Sequence, residues 1–261
     1  MNIKSKIITA ILTVFIILFV VSGAIALPLV LRAFYYAQIE SLGIPEETGY
    51  SVEVAKEAFD EMMDYCMGKS EEFGTGELVW SEEGKSHFDD CKNLFNLDKV
   101  LIIVSGVGII ICAAAAVLVF AKQSGESPDG ERSDSRESAR SDSQASAPPD
   151  SQLDVTRAEN FSKTLLRRAG LLSGVIMIVG GAALGVIAAM DFDAFFVKFH
   201  HTFFPGKENW LFDPATDEII KILPEEFFRN CAILIVSVIV LVSIVLIARG
   251  ARKTEPNKDR G

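Results

Sequence analysis

Hydrophobic positions in this chain gather into four long uncharged runs, at residues 7–31, 100–121, 169–190 and 231–248. A helix needs about 20 apolar residues to cross a hydrocarbon core of about 30 Å, and the runs meet that length, the fourth only just. Within such a core a helix satisfies its backbone hydrogen bonds by itself. The expected fold class is therefore an all-α integral membrane protein: four transmembrane helices and two extracytoplasmic loops containing amphipathic helices. The segments expected are a span at 7–31, an outer helical loop at 32–98 and a span at 99–121. A cytoplasmic linker at 122–160 and a basic lead-in at 161–168 precede the third span at 169–190. An outer aromatic loop at 191–230, a fourth span at 231–248 and a tail at 249–261 complete the chain.

The polar stretches have patterns of their own. Ser51 is a good N-cap for a helix running to Met67. Val52, Ala55, Phe59, Met62, Met63 and Cys66 share one stripe of that helix, opposite Glu53, Lys56, Glu57, Asp60 and Asp64. The stripe reads as packing surface. Ser81 can cap a second helix, on which His87 shares a face with Asp90, Cys91 and Leu94. Residues 195–214 pack aromatics at a density suited to the bilayer interface and place His200 and His201 among them. Asp213 followed by Pro214 predicts the start of a short helix. The linker alternates Ser, Asp, Arg, Glu, Gly and Pro, cannot bury enough surface to order itself, and is expected to be disordered. The lead-in is expected to lie on the inner leaflet. Ala113–Ala116 and the pair Gly181 and Gly185 suit close helix packing.

Charge orients this arrangement. The chain has 25 Lys and Arg against 35 Asp and Glu, a net charge of −10. The acidic residues crowd 40–98, whereas the basic residues cluster beside particular span ends: Lys4 and Lys6, Lys122, Lys163 with Arg167 and Arg168, and Arg249 with Arg252 and Lys253. The positive-inside tendency places those ends, and both termini, in the cytoplasm. Lys99 and Arg229 fall at the opposite ends. The first run exceeds the about 7–15 residues of a signal h-region, so an uncleaved anchor is expected. The basic clusters flank spans and form no separate basic domain, which argues against a nucleic-acid partner. Cys66 and Cys91 share the first outer loop, where a disulfide can form and persist. Spacing does not establish the bridge, and two buried thiols are the alternative.

Two spans separate the outer loops, so His87 and His200 face the same side of the membrane whichever way the chain is inserted. Histidine titrates nearest neutral pH. Two of them at one interface can perform acid–base chemistry without a serine or cysteine nucleophile. Asp90 at i+3 from His87 can approach its imidazole. P-loop, Rossmann glycine, G-x-S-x-G and H-E-x-x-H motifs are missing from the sequence.

Phe199-His200 followed by Phe203-Phe204, then Trp210-Leu211-Phe212-Asp213-Pro214 and Leu223-Pro224-Glu225-Glu226-Phe227-Phe228, resembles the second outer loop of a bacterial four-span membrane family that includes the lipoprotein intramolecular transacylases. His87, Asp90 and Lys92 resemble that family's other motif, a histidine preceding Asp-Val-Lys, with Cys91 standing in the valine's place. The resemblance covers the four spans and both outer loops; the linker looks like an addition. It implies transfer of the sn-2 acyl chain of a diacylglyceryl-cysteine lipoprotein to that cysteine's own α-amine, at the cell membrane. Both reacting groups then belong to one molecule, and neither acyl donor, metal nor other cofactor is needed. The resemblance implies His87 and His200 as catalytic residues, with His87 as base and His200 as oxyanion or leaving-group partner in the first reading. Asp90, Lys92, Trp210 and Asp213 are the supporting candidates. The partners implied are diacylglyceryl lipoproteins and membrane lipid. Two alternatives stand beside this: a non-catalytic four-span scaffold or sensor, and a metal-dependent membrane hydrolase using His87, His200, His201 and carboxylates.

Overall fold

The structure, a computed structural model, describes residues 3–125 and 150–252, with side chains from 3–120 and 157–252. Among these the chain is helical, with no strand. Four helices are long and apolar enough to cross a membrane: α1 (Ile3–Val30), α5 (Glu82–Gly125), α6 (Asp150–Met190) and α8 (Glu225–Ala251). Short helices α2 (Arg32–Tyr36), α3 (Ile44–Thr48) and α4 (Val52–Cys66) lie between the first two, and α7 (Phe192–Phe203) follows the third. In the bundle α6 packs along α8 and α1 along α5.

Burial is divided between two environments. The spans bury at most 22% of their most apolar windows. Ile103, Ile110, Leu118, Val179, Ile233 and Leu241 point outward, as side chains facing lipid must. The densely buried core lies above the spans. Tyr35 and Ile39, α4's Phe59, Met62 and Met63, α5's Phe88, and Ile219, Ile222 and Phe227 from the second outer loop and the start of α8 pack there. Burying apolar area stabilises by about 25 cal/mol per Å2, so this water-facing cap is where the hydrophobic effect holds the two loops together. Tyr35 Oη donates to the Ile222 carbonyl at 3.0 Å within it.

Ser51 caps α4 by accepting from the Val54 amide at 3.3 Å, and the methionine-bearing stripe turns into this core. The acidic face is also used: Arg32 bridges Asp60 and Asp64 at 2.7 and 2.6 Å, tying α4 to the start of α2.

Three features differ from the sequence expectation. The helix capped by Ser81 does not end before the second span. It is one 44-residue rod, about 66 Å long, that rises out of the apolar region and carries His87 on its outer part. Similarly, α6 begins at Asp150, so residues 150–160, assigned to the linker, and the lead-in at 161–168 belong to the helix of the third span. Ala158, Ser162 and Leu165 are buried there, which gives the segment the contacts its composition alone does not reveal. Residues 126–149 of the linker lie outside the described residues. Close approach of α6 and α8 occurs at Gly174, where a Cβ would lie 2.9 Å from the Ser243 carbonyl, rather than at Gly181 and Gly185, whose neighbours stand at 3.8 and 3.9 Å.

Candidate active site

Where the outer loops meet, α5 supplies His87 and α7 supplies His200, and their ring centroids lie 5.7 Å apart. Each residue is only 6% exposed. No helix was anticipated at 192–203, although Phe192, Phe195, Phe196, Phe199 and Phe203 recur at helical spacing on one face, which was the signal available. Asp191 starts α7 by accepting from the Ala194 amide at 2.9 Å. One turn before His200, the Phe196 carbonyl takes its Nδ1–H at 2.8 Å. A carbonyl oxygen only accepts, so the proton of neutral His200 sits on Nδ1 and Nε2 keeps its lone pair.

Aromatic rings enclose the pair. Trp210 stacks on His200 at 4.6 Å and 25°. Phe204 and Phe212 meet the His87 ring edge-on at 4.9 and 5.5 Å. The histidines line one end of an apolar cavity of about 320 Å3, whose other walls include Ile25 and Leu29 of α1 and Ile235 of α8. It thus reaches from the cap toward the lipid-facing helices. Burial, with His200 and Lys207 adding to it, pushes the His87 pKa down to about 4. Burial also lowers that of His200, opposed by its bond to Phe196 and assisted by His201. Both rings are therefore neutral at pH 7.

The supporting residues divide sharply. Asp90 does not reach the His87 ring. It accepts from Lys207 Nζ and, at 3.1 Å, from Asn209 Nδ2, and so pins the loop after α7 onto α5. Burial raises its pKa, but those bonds outweigh it and hold the carboxyl below the ordinary range. Trp210 belongs to the same pinned loop, donating from Nε1 to the Lys207 carbonyl at 3.0 Å. Lys92 points away and sits 3.9 Å above the Tyr65 ring. Asp213 caps a turn through Ala215 N at 2.9 Å instead of starting a helix; the next helical element is a 3-10 turn at Glu218–Ile222. His201 is exposed and meets Trp210 edge-on. Cys66 and Cys91 are free thiols, unbridged: Cys66 Sγ turns to the Phe88 carbonyl at 3.9 Å and Cys91 Sγ lies 3.5 Å from His87 Nε2. Burial pushes the Cys66 thiol up to about 12.

One buried residue that the sequence does not single out is Asp217. It accepts from Ser81 N at 2.8 Å and from Ser81 Oγ at 2.8 Å, joining the second loop to the N-cap of α5. Next to it Glu218 N and Val79 O pair at 2.9 Å. Gly84 makes this seam possible, since a Cβ there would fall 2.0 Å from Asp217 Oδ1. A glycine in the first turn of a helix, where it costs up to about 1 kcal/mol against alanine, is the signal that was available.

A model of the lipoprotein intramolecular transacylase Lit matches residues 10–127 and 152–228. The chain belongs to that family. It is accordingly a multi-pass membrane acyltransferase, a lipoprotein intramolecular transacylase. The in meso structure of the membrane-integral transacylase Lit from Bacillus cereus is similar in fold, with a TM-score of 0.71 at 22% identity, covering 94% of this chain and 93% of that one. Two further structures of the Bacillus cereus transacylase, with a histidine-to-arginine and a histidine-to-alanine mutation, match at TM-scores of 0.66 and 21% identity. They cover 94% of this chain and 89% and 91% of theirs. No curated protein matches.

Chemically, the arrangement offers a neutral imidazole with a fixed lone pair, a second neutral imidazole beside it, and an apolar volume below. Among the described residues no three of His, Cys, Asp and Glu converge as metal ligands.

Proposed function

We propose that this chain moves the sn-2 acyl chain of a diacylglyceryl-cysteine lipoprotein to the α-amine of the same cysteine, with His200 as general base and His87 as hydrogen-bond donor. These roles exchange the first reading from sequence. The observation that carries the assignment is the bond from His200 Nδ1 to the Phe196 carbonyl, which leaves Nε2 as the acceptor.

The step balances within one substrate. The α-amine, with a reference pKa near 8, loses a proton to His200 Nε2 as its nitrogen attacks the ester carbonyl. The carbonyl oxygen becomes negative and accepts a hydrogen bond from His87. Collapse breaks the bond to the glyceryl oxygen, which takes the proton back from His200. An amide and a free sn-2 hydroxyl result, with no water or second acyl donor consumed. A positioned base contributes about 10²–10⁴-fold. An oxyanion donor contributes about 10²–10³-fold. The apolar cavity suits the acyl chains, and its aromatic roof keeps water from the ester. In this reading the two outer loops and the site are extracytoplasmic and both termini cytoplasmic.

The test is expression in a bacterium lacking its own N-acylating enzyme, followed by mass spectrometry of lipoprotein N-terminal peptides. N-acyl lyso-lipoprotein is expected. Diacylglyceryl peptides with a free amine, despite good expression, would sink the reading. His200→Gln should abolish transfer, whereas His87→Gln, which keeps an N–H donor, should retain a measurable fraction. The reverse order would return the base role to His87.

A further inference from the structure

His87 is held at only one of its two ring nitrogens. Nε2 lies 3.5 Å from Cys91 Sγ, one helical turn further along α5. Nδ1 is buried and has no partner in the protein, although His87 lines the cavity beside His200. The groups around the ring are few and come from several elements. On α5 they are Cys91 and Asp90, the latter engaged by Lys207 of the loop after α7. Across the cavity stands His200 of α7, and behind Cys91 lies Cys66 of α4, turned to the Phe88 carbonyl.

Two proton arrangements are open to the Cys91–His87 pair. If His87 carried its proton on Nε2 and donated to sulfur, the thiol hydrogen would have no acceptor and Nδ1 would be a buried bare lone pair. If the thiol donates to Nε2, the imidazole lone pair meets its donor, and the one group left over is Nδ1–H. Burial pushes the Cys91 thiol up, so its hydrogen stays available to give. Sulfur is a weak acceptor, while an imidazole nitrogen is a good one. The second arrangement leaves fewer buried polar groups unmatched, and each such group costs about 1–3 kcal/mol.

We propose that Cys91 is a positioning residue, whose S–H bond to Nε2 fixes His87 in the tautomer with its proton on Nδ1. The tautomer stands on the geometry alone; its use against the developing oxyanion rests on the function proposed above. The orphaned nitrogen is then an N–H donor whose hydrogen bond within the protein is unmade.

The experiment uses the full chain in detergent micelles with ¹⁵N-labelled histidine rings, read by two-bond proton–nitrogen correlation at pH 7. His87→Gln identifies the His87 signals by their loss. We expect His87 to be protonated on Nδ1. In Cys91→Val the proton should move to Nε2 or exchange between both sites, with kcat down about three- to ten-fold and KM unchanged. Cys91→Ser, whose hydroxyl donates as the thiol does, should restore the tautomer and most of the rate. His200 signals unchanged in each variant report an intact fold. An Nε2 proton on His87 in the unsubstituted chain overturns the proposal, as does an unaltered tautomer in Cys91→Val. Should either variant fail to fold, the unsubstituted spectrum still decides. The expected tautomer in a chain that acylates no lipoprotein would leave this inference standing and defeat the functional one.

Discussion

Replacing Asp217 by alanine tests how firmly the seam between the outer loops holds the start of α5. The carboxylate is 5% exposed and receives both the amide and the hydroxyl of Ser81. Hydrogen bonds to charged groups are worth about 1.5–3 kcal/mol each, so losing two costs about 3 kcal/mol at the low end. The substitution also removes an anion from the N-terminus of α5, worth a further few tenths to about 1 kcal/mol. The adjoining Val79–Glu218 pair and Tyr35–Ile222 bond remain, so the loops should stay docked while the first turns of α5 open locally. A 3 kcal/mol loss corresponds to an increase in opening of about a hundred-fold. Amide hydrogen exchange of the purified protein in micelles reads it directly, peptide by peptide. Peptides covering 81–90 should exchange about a hundred-fold faster, while those of α1 and α8 within the spans should not change. Protection at 81–90 within three-fold of the unsubstituted protein would refute the seam as a stabilising element.

Gly84→Ala should destabilise the same region at least as much, because its Cβ would meet Asp217 Oδ1 at 2.0 Å; combining it with Asp217→Ala should recover part of the loss, measured by the same exchange. Asp90→Ala releases Lys207 and Asn209 together and should lower transacylation about ten-fold through Trp210 and His200, with Lys207→Ala giving the smaller part of that effect. For pH, the folded chain holds His87 at about 4 while the unfolded chain binds its proton near 6.5. Between those values only the unfolded state is protonated, so stability falls as pH falls from 6.5 to 4, by about 3 kcal/mol in total. Thermal unfolding in micelles should show that slope flattened in His87→Gln; an equal slope in both proteins would contradict it.

The spans were readable because uncharged runs of that length have few other uses, and the facing of His87 and His200 followed from counting them. Ser51 and its stripe were equally plain, since cap and periodicity agree. Other features depended on partners far along the chain. Nothing local marks Asp217 among so many acidic residues, and it matters because Ser81 lies against it. Asp90 looked like the partner of a histidine on its own helix; a lysine 117 positions away holds it instead. The odd cation Lys99 is explained similarly, donating to the Met67 carbonyl at 2.7 Å, whereas Arg229 has a local partner, Glu226, at 3.8 Å.

The continuity of α5 has a consequence for the chemistry. His87 lies 12 residues before Lys99, about 18 Å up an unbroken helix from the apolar region, so its height above the membrane is set by the rod itself. His200 is set differently, by the separate short helix α7, on which Phe199 and Phe203 are exposed. The distance between the two rings therefore depends on how α7 sits against α5, and the contacts that fix it are Asp90 with Lys207 and Asn209, and Trp210 on His200. Loss of the Asp90 clamp should accordingly lower kcat more than it raises KM, since it disturbs the alignment of the two rings and leaves the apolar cavity intact.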